Sequence, residues 1–91
     1  MKIRARFFAH FRGLFEARDK AVVLVKGSTV VELLEGLCDS PERRAEIFDK
    51  NGLKPYVVLM KNEVNVHSQN GLRTALEEGD VVAIFPLMGG G

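Results

Sequence analysis

One segment of this 91-residue chain has the full pattern of an amphipathic helix. A chain this short has few other segments that could bury the apolar side of that helix. Thr29 and Glu32 have the spacing of a capping box, in which two side chains satisfy backbone N–H groups at a helix N-terminus. The residues that follow form one apolar stripe: Val30, Leu33, Leu34 and Leu37. We therefore predict a helix that starts at Thr29, ends near Cys38 and packs on a β-sheet.

The first strand is predicted from the alternation of residues 3–9. One face is apolar, with Ile3, Ala5 and Phe7. The other face carries two basic residues and one aromatic residue: Arg4, Arg6 and Phe8. Residues 10–19 have apolar side chains at helical spacing, so a short helical turn is expected in the connection to the next strand.

Four further strands and a second helix complete the pattern. The strands are predicted at residues 21–26, 56–60, 64–66 and 81–85, and Pro86 marks the end of the last one because it has no N–H to donate. Ser40-Pro41 predicts the start of a second helix, which we expect to end near Asn51-Gly52.

These elements predict an α+β fold with two layers. A mixed sheet of four to five strands would pack against one main helix, with the short second helix beside it. Because the first and last strands are both strongly apolar, they are expected to pair in parallel at the centre of the sheet. This arrangement is the ubiquitin-like β-grasp.

Composition argues against several classes of partner. The net charge of +1 offers no basic excess for nucleic acid. No apolar run is long enough to span a membrane, and the N-terminus lacks the pattern of a signal peptide, so we expect a cytoplasmic protein. Cys38 is the only cysteine, and His10 and His67 have no neighbours at ligand spacing, so no metal site is expected.

The last residues of the sequence suggest where chemistry takes place. We divide the chain into a β-grasp domain, residues 1–86, and a flexible tail, residues 87–91, that ends in Gly90-Gly91. Glycine has no side chain to block a narrow enzyme channel, and its backbone adopts conformations that other residues cannot. Taken alone, this pattern also fits a frayed terminus or a cloning remnant.

Four segments together resemble the MoaD family, the small sulfur-carrying subunits of molybdopterin synthase. They are FFAHFRGL, TVVELLEGL, VVLMKNEV and LEEGDVVAIFPLMGGG, and in order they span essentially the whole chain. The most specific part runs from Gly79 to Pro86 and on to Gly90-Gly91. The residues that favour MoaD over the related ThiS carriers are Phe7, Phe8, Ala9, Arg12 and Leu14. Leu87 and Gly89 depart from the usual family pattern.

The resemblance implies a mechanism centred on Gly91. A ubiquitin-activating-type adenylyltransferase (MoeB-like) would use ATP and magnesium to adenylate the Gly91 carboxylate, and a sulfur donor would convert it to a thiocarboxylate. The large subunit of molybdopterin synthase (MoaE-like) would then use that sulfur on a pterin precursor of the molybdenum or tungsten cofactor. The chain itself would bind no cofactor, and the catalytic residues would lie in the large subunit.

Three other functions remain open from the sequence. Related β-grasp proteins include ubiquitin-like modifiers of archaea, in which Gly91 would be joined to lysine, and sulfur carriers for thiamine or tRNA thiolation. A different class of function is a plain interaction domain with a frayed glycine tail. The nucleophile that attacks the adenylate, a sulfide or an amine, is set by partner proteins.

A docking surface is also expected. If the first and last strands pair, Phe8 and Phe85 lie on one face as an apolar patch flanked by Arg4 and Arg6. The alternatives are that a loop or helix covers this patch and that Arg12 is simply solvated. The predicted partner-binding residues are Phe8, Arg12, Phe85, Pro86, Leu87 and Met88. Gly89 and Gly90 would give access, and Gly91 would react.

Overall fold

Seven strands and three helices make up the part of the chain described by this computed structural model, residues 1–87. The strands are β1 (Lys2–Phe7), β2 (Asp19–Val23), β3 (Phe48–Asp49), β4 (Gly52–Leu53), β5 (Val57–Lys61), β6 (Val64–Asn65) and β7 (Val81–Pro86). The helices are α1 (Phe11–Phe15), α2 (Val30–Leu37) and α3 (Pro41–Ile47), and single 3₁₀ turns occur at Val66–Ser68 and Gly71–Arg73.

Five of the strands form one mixed sheet in the order β2-β1-β7-β5-β6, and β3 pairs only with β4 in a small hairpin. Strands β1 and β7 are parallel, with Arg4 beside Val81 and Phe7 beside Ile84. Strand β2 flanks β1, and β5 flanks β7, both in antiparallel pairing. The predicted parallel pairing of the first and last strands at the sheet centre is confirmed, and the fold is a ubiquitin-like β-grasp.

Helix α2 and the inner face of the sheet supply most of the core. Glu32 accepts a hydrogen bond from the Thr29 N–H at 3.0 Å, as the capping box requires, and Cys38 follows the last helical residue. The four residues of the predicted stripe are all buried: Val30, Leu33, Leu34 and Leu37. The buried strand residues that complete the core are Ile3, Ala5, Phe7, Val57, Leu59, Val82 and Ile84.

The first connection contains the expected helical turn. Helix α1 buries Phe11 and Phe15, and the ring of Phe15 stacks on that of Phe7 with 4.5 Å between the ring centroids. Arg43 of α3 holds this connection in place, because it donates to the Leu14 carbonyl at 3.0 Å and to the Glu16 carboxylate at 3.2 Å. The two short helices are thus joined by one partly buried guanidinium.

The predicted bounds of three elements were wrong. Strand β2 runs over Asp19–Val23 and not over residues 21–26. Helix α3 ends at Ile47, since Phe48 is extended and pairs with Leu53, and Asn51-Gly52 forms the turn of the β3–β4 hairpin instead of a helix end. Strand β1 ends at Phe7 because Ala9 adopts a left-handed backbone conformation, with φ of 53°. Within residues 1–87, no helix combines the length and apolar character needed to cross a bilayer.

The burial of the apolar stripe of α2 predicts that truncation of one of its side chains lowers the free energy of unfolding strongly. Leu34 is fully buried, so Leu34→Ala should lower the free energy of unfolding by about 2–5 kcal/mol, measured by urea denaturation. Val23 is 76% exposed, and Val23→Ala should change it by no more than about 0.5 kcal/mol. Equal stability of the two variants would contradict the placement of α2 on the sheet.

Candidate docking face and C-terminal exit

The outer face of the sheet, opposite the core, carries an apolar strip. We define this apolar strip as Phe8, Met60, Val81, Ala83 and Phe85. Together with Arg6, Ala9, Asn62, Glu63 and Pro86, these residues line an open trough of about 700 Å³. The residues of the strip come from the segment after β1, from β5 and from β7, and the strand register brings them together.

Phe8 and Phe85, predicted to share an exposed face, are in contact. Their ring centroids lie 5.9 Å apart at an interplanar angle of 83°, an edge-to-face arrangement that is favourable for aromatic pairs. The Phe8 N–H donates to the Ile84 carbonyl at 3.1 Å, so the β1–β7 pairing continues one residue beyond β1. Phe8 is 38% exposed, and the left-handed residue Ala9 then turns the chain away from the sheet.

Arg12 lies at the edge of the apolar strip. Because Phe11 and Phe15 of α1 are buried in the core, Arg12 is directed to another side of the helix. Its Nε donates to the Phe7 carbonyl at 3.0 Å, and its guanidinium carbon lies 5.5 Å from the centroid of the Phe8 ring. This cation–π geometry fixes a positive charge beside the exposed aromatic ring.

The charged residues around the strip differ in their pairing. Arg4, expected to flank the patch, forms an exposed ion pair with Asp19 at 2.6 Å. Arg6 lines the trough on the β1 side, and Glu63 lines it at the turn between β5 and β6. That turn is fixed by Asn62, whose side-chain oxygen accepts from the Val81 N–H at 2.9 Å.

The C-terminal segment leaves the sheet beside the strip. Pro86 is the last residue of β7 and pairs with Val57, and the Leu87 N–H then donates to the Tyr56 carbonyl at 2.6 Å. The side chain of Leu87 is 62% exposed. Of the predicted site residues, the structure thus brings together Phe8, Arg12, Phe85, Pro86 and Leu87 at one end of β1 and β7. The predictions for Met88, Gly89, Gly90 and Gly91 lie outside the described residues.

A comparison with known protein families places this geometry in context. A model of the ThiS family matches residues 5–91 of the sequence. This chain belongs to the ThiS family. The family shares the ubiquitin-like fold described above, and the MoaD-like and modifier proteins are its structural neighbours.

The relatives of this chain include proteins named as archaeal modifiers and a protein named as a subunit of a molybdopterin converting factor. Small archaeal modifier protein 3 of Haloferax volcanii is 30% identical over the full length of both chains. A solution structure of a Haloferax volcanii protein is also 30% identical, with a TM-score of 0.85 over all of this chain and 87% of that one. A candidate molybdopterin converting factor, subunit 1, from Pyrococcus furiosus is 26% identical, with a TM-score of 0.75 over 97% of this chain and 99% of that one.

Six residues of the trough were not predicted as site residues from the sequence: Ala9, Met60, Asn62, Glu63, Val81 and Ala83. A signal for Met60 was present, because the segment that becomes β5 is apolar on both faces and its outer face therefore also needed a place in the fold. Met60 pairs with Ala83 of β7, which sets it in the middle of the strip. The placement of Asn62 and Glu63 in the trough depends on the backbone conformation of the turn after β5. The polar character of these residues in the sequence does not predict that conformation.

Cys38 is free and buried at the end of α2. Burial is the main reason that the pKa of its thiol rises to about 11, with smaller opposing effects from Arg44 and Glu35. A thiol with this pKa is protonated at neutral pH, and the nucleophilic form is the thiolate. No group of three or more His, Cys, Asp or Glu residues within residues 1–87 is arranged to hold a metal ion.

The raised pKa predicts slow alkylation of Cys38 in the folded protein. A pKa near 11 instead of 9.0 reduces the thiolate fraction at pH 7 by about 100-fold. Iodoacetamide should therefore modify the folded chain at least about tenfold more slowly than the chain unfolded in urea, followed by intact mass. Cys38→Ala is the control and should take up no reagent. Equal rates in the folded and unfolded chains would show that Cys38 is accessible and ionised.

Proposed function

We propose that this chain is a ubiquitin-like modifier that acts through the carboxylate of Gly91 and is joined by it to lysine side chains of other proteins. The single observation that carries the proposal is the 30% identity to small archaeal modifier protein 3 over the full length of both chains. It is supported by the Gly90-Gly91 ending and by the exit of the C-terminal segment beside an exposed apolar strip.

The proposed chemistry requires activation by a partner. A carboxylate does not react with an amine at neutral pH, because it carries no leaving group. A ubiquitin-activating-type adenylyltransferase (MoeB-like) would use ATP and magnesium to form the Gly91 acyl-adenylate, with release of pyrophosphate. The lysine amine then attacks the acyl carbon, AMP leaves with the bonding electron pair, the amine loses a proton and an isopeptide bond forms. In this scheme the chain provides the acyl group, and its partners provide the catalytic residues.

The five residues from Leu87 to Gly91 set the reach of this group. Fully extended, they span at most about 16–18 Å, which is enough to leave the domain and enter a partner's active site. Ordering them costs about 1–2 kcal/mol of backbone entropy per residue, so contacts elsewhere must offset several kcal/mol. We propose that the apolar strip supplies those contacts, with Phe8 and Phe85 as its main anchors. The further partner-binding residues in this proposal are Arg12, Pro86, Leu87 and Met88.

A second candidate function is that of a sulfur carrier, the small subunit of molybdopterin synthase. The likeness to the Pyrococcus furiosus protein favours it, since that protein is named as one subunit of a molybdopterin converting factor. Here the outer sulfur of a donor persulfide would displace AMP from Gly91 to give an acyl disulfide. A second thiol of the partner proteins would then cleave the S–S bond, which leaves the thiocarboxylate on Gly91 and a disulfide on the donor. A MoaE-like large subunit would use the sulfur to build the molybdenum or tungsten cofactor. Transfer to thiamine or to tRNA would need the same thiocarboxylate and a different acceptor.

Both functions require the terminal glycines, so their removal is the first test. The chain lacking Gly90-Gly91 should form neither an adenylate, measured by ATP–pyrophosphate exchange with the activating enzyme, nor conjugates. Gly36→Ala is a suitable control, because Gly36 lies in α2 with open space around it and alanine favours the helix. Exchange at the full rate in the truncated chain would exclude both functions.

Mass spectrometry of protein from its native host separates the two functions. A modifier should yield substrate lysines that carry the C-terminal glycines of this chain after proteolysis. A sulfur carrier should instead yield the intact chain with one oxygen replaced by sulfur at its terminus. The slow alkylation expected of Cys38 allows the terminal thiocarboxylate to be alkylated selectively. A host in which only the thiocarboxylate form accumulates would favour the second candidate over the first.

The docking role of the strip predicts a selective loss of binding. Phe8→Ala and Phe85→Ala should each weaken binding of the activating enzyme by about tenfold or more, since each removes aromatic area from the centre of the interface. Val23→Ala changes an exposed residue of the outermost strand and should bind like the wild type. Circular dichroism and thermal unfolding establish that each variant is folded. Wild-type affinity in both phenylalanine variants would exclude the strip as the docking surface.

A further inference from the structure

The trough on the outer face has opposite charges on its two sides. Arg6 lies on the β1 side and Glu63 at the β5–β6 turn, and both are exposed. Neither side chain has an ion-pair partner among residues 1–87, whereas Arg4 is already paired with Asp19. Among the residues that line the trough, Arg6 and Glu63 thus supply one unpaired positive and one unpaired negative charge, with apolar residues between them. Arg12, which lies over the Phe8 ring, adds a further positive charge at the edge of the strip.

The strand register fixes the order of these residues across the face. Arg6 is beside Ala83 in the β1–β7 pairing, and Ala83 is beside Met60 in the β7–β5 pairing. Glu63 follows in the turn after β5, where Asn62 and Glu63 both have positive φ, of 49° and 70°. The Asn62 side chain donates to the Asp80 carboxylate and accepts from the Val81 N–H, and these two hydrogen bonds hold that turn against β7. The backbone thus fixes the positions of Arg6 and Glu63 on either side of the apolar residues.

A surface of this kind is complementary to itself. A two-fold axis that lies in the interface and passes between Arg6 and Glu63 sets the Arg6 of each copy against the Glu63 of the other. The same rotation stacks the two apolar strips on each other, so that apolar area is buried at the centre and both charges are paired at the rim. A partly apolar centre with a charged rim is the usual composition of a protein–protein interface.

We propose that two copies of this chain pair face to face through the apolar strip, with Arg6 of each copy against Glu63 of the other. The pairing would be weak and dependent on concentration. An interface that took a tenth of the 5578 Å² surface, the usual share for a small protein, would bury about 560 Å² per copy, and the total of about 1,100 Å² is below the range of about 1,200–2,000 Å² for stable complexes. The proposal concerns the folded domain and does not rest on the proposed function.

One consequence links the pairing to the proposed docking role. The two copies would cover Phe8 and Phe85, the residues proposed to bind the activating enzyme. The dimer and the enzyme complex are then mutually exclusive, and only the monomer is open to activation. This consequence rests on the proposed function, while the pairing itself does not.

A charge exchange tests the pairing directly. Sedimentation equilibrium of the full chain should show a monomer–dimer equilibrium as the concentration rises. Arg6→Glu and Glu63→Arg should each weaken the dimer by about tenfold or more, because each creates like-charge contacts at two symmetry-related places. The double variant Arg6→Glu/Glu63→Arg restores opposite charges and should return the dissociation constant to within about threefold of the wild type.

The controls separate the pairing from net charge, folding and the C-terminal chemistry. Lys50→Glu and Glu42→Arg make equal charge changes at exposed residues outside the trough and should leave the dimer unchanged. Removal of Gly90-Gly91 should leave it unchanged as well, although it abolishes the proposed function. A chain that is monomeric at all concentrations overturns the proposal and leaves the strip to a different protein. A double variant no better than the single variants overturns the proposed arrangement.

Discussion

The parallel pairing of β1 with β7 is the interaction on which the rest of the structure depends. It joins the two ends of the domain, so the intervening residues must form a closed unit in which α2 crosses one face of the sheet. Because the two strands are parallel, their C-terminal ends also lie at the same end of the sheet. The segment after β1 and the end of β7 therefore lie side by side, which is why Phe8 contacts Phe85. The exposed aromatic pair and the C-terminal exit are two results of a single pairing.

Polar contacts hold the other end of the β1–β7 pair, where β7 begins. Asp80, almost fully buried at the start of β7, accepts hydrogen bonds from the Asn62 side chain at 2.9 Å and from the Glu77 N–H at 2.8 Å. Its carbonyl accepts from the Arg4 N–H at 3.0 Å. These hydrogen bonds join the β5–β6 turn, the turn before β7 and strand β1 to one another.

Periodicity and capping predicted much of this arrangement, for reasons that are local. The side chains of residues 3–9 alternate between two faces whatever the partner strand, so Ile3 and Phe8 were assigned correctly before any pairing was known. The capping box of Thr29 and Glu32 is likewise complete within one helical turn. With the parallel pairing assumed, these local rules placed Phe8 beside Phe85. The chemical role of that pair, and of Gly91, stays a prediction.

The features that sequence reasoning missed depend on contacts between distant segments. The end of α3 at Ile47 is set by pairing across the β3–β4 hairpin and by the hydrogen bond from the Lys54 N–H to the Ile47 carbonyl, at 2.9 Å. Met60 lies in the apolar strip only because the strand register pairs it with Ala83. The outer face depends on distant contacts in the same way. Arg6 and Glu63 are 57 positions apart in the sequence, and the order of strands brings them to opposite sides of one trough. This face keeps its charge pattern only while β1 and β7 remain paired. A partner that binds the apolar strip therefore binds only the folded domain.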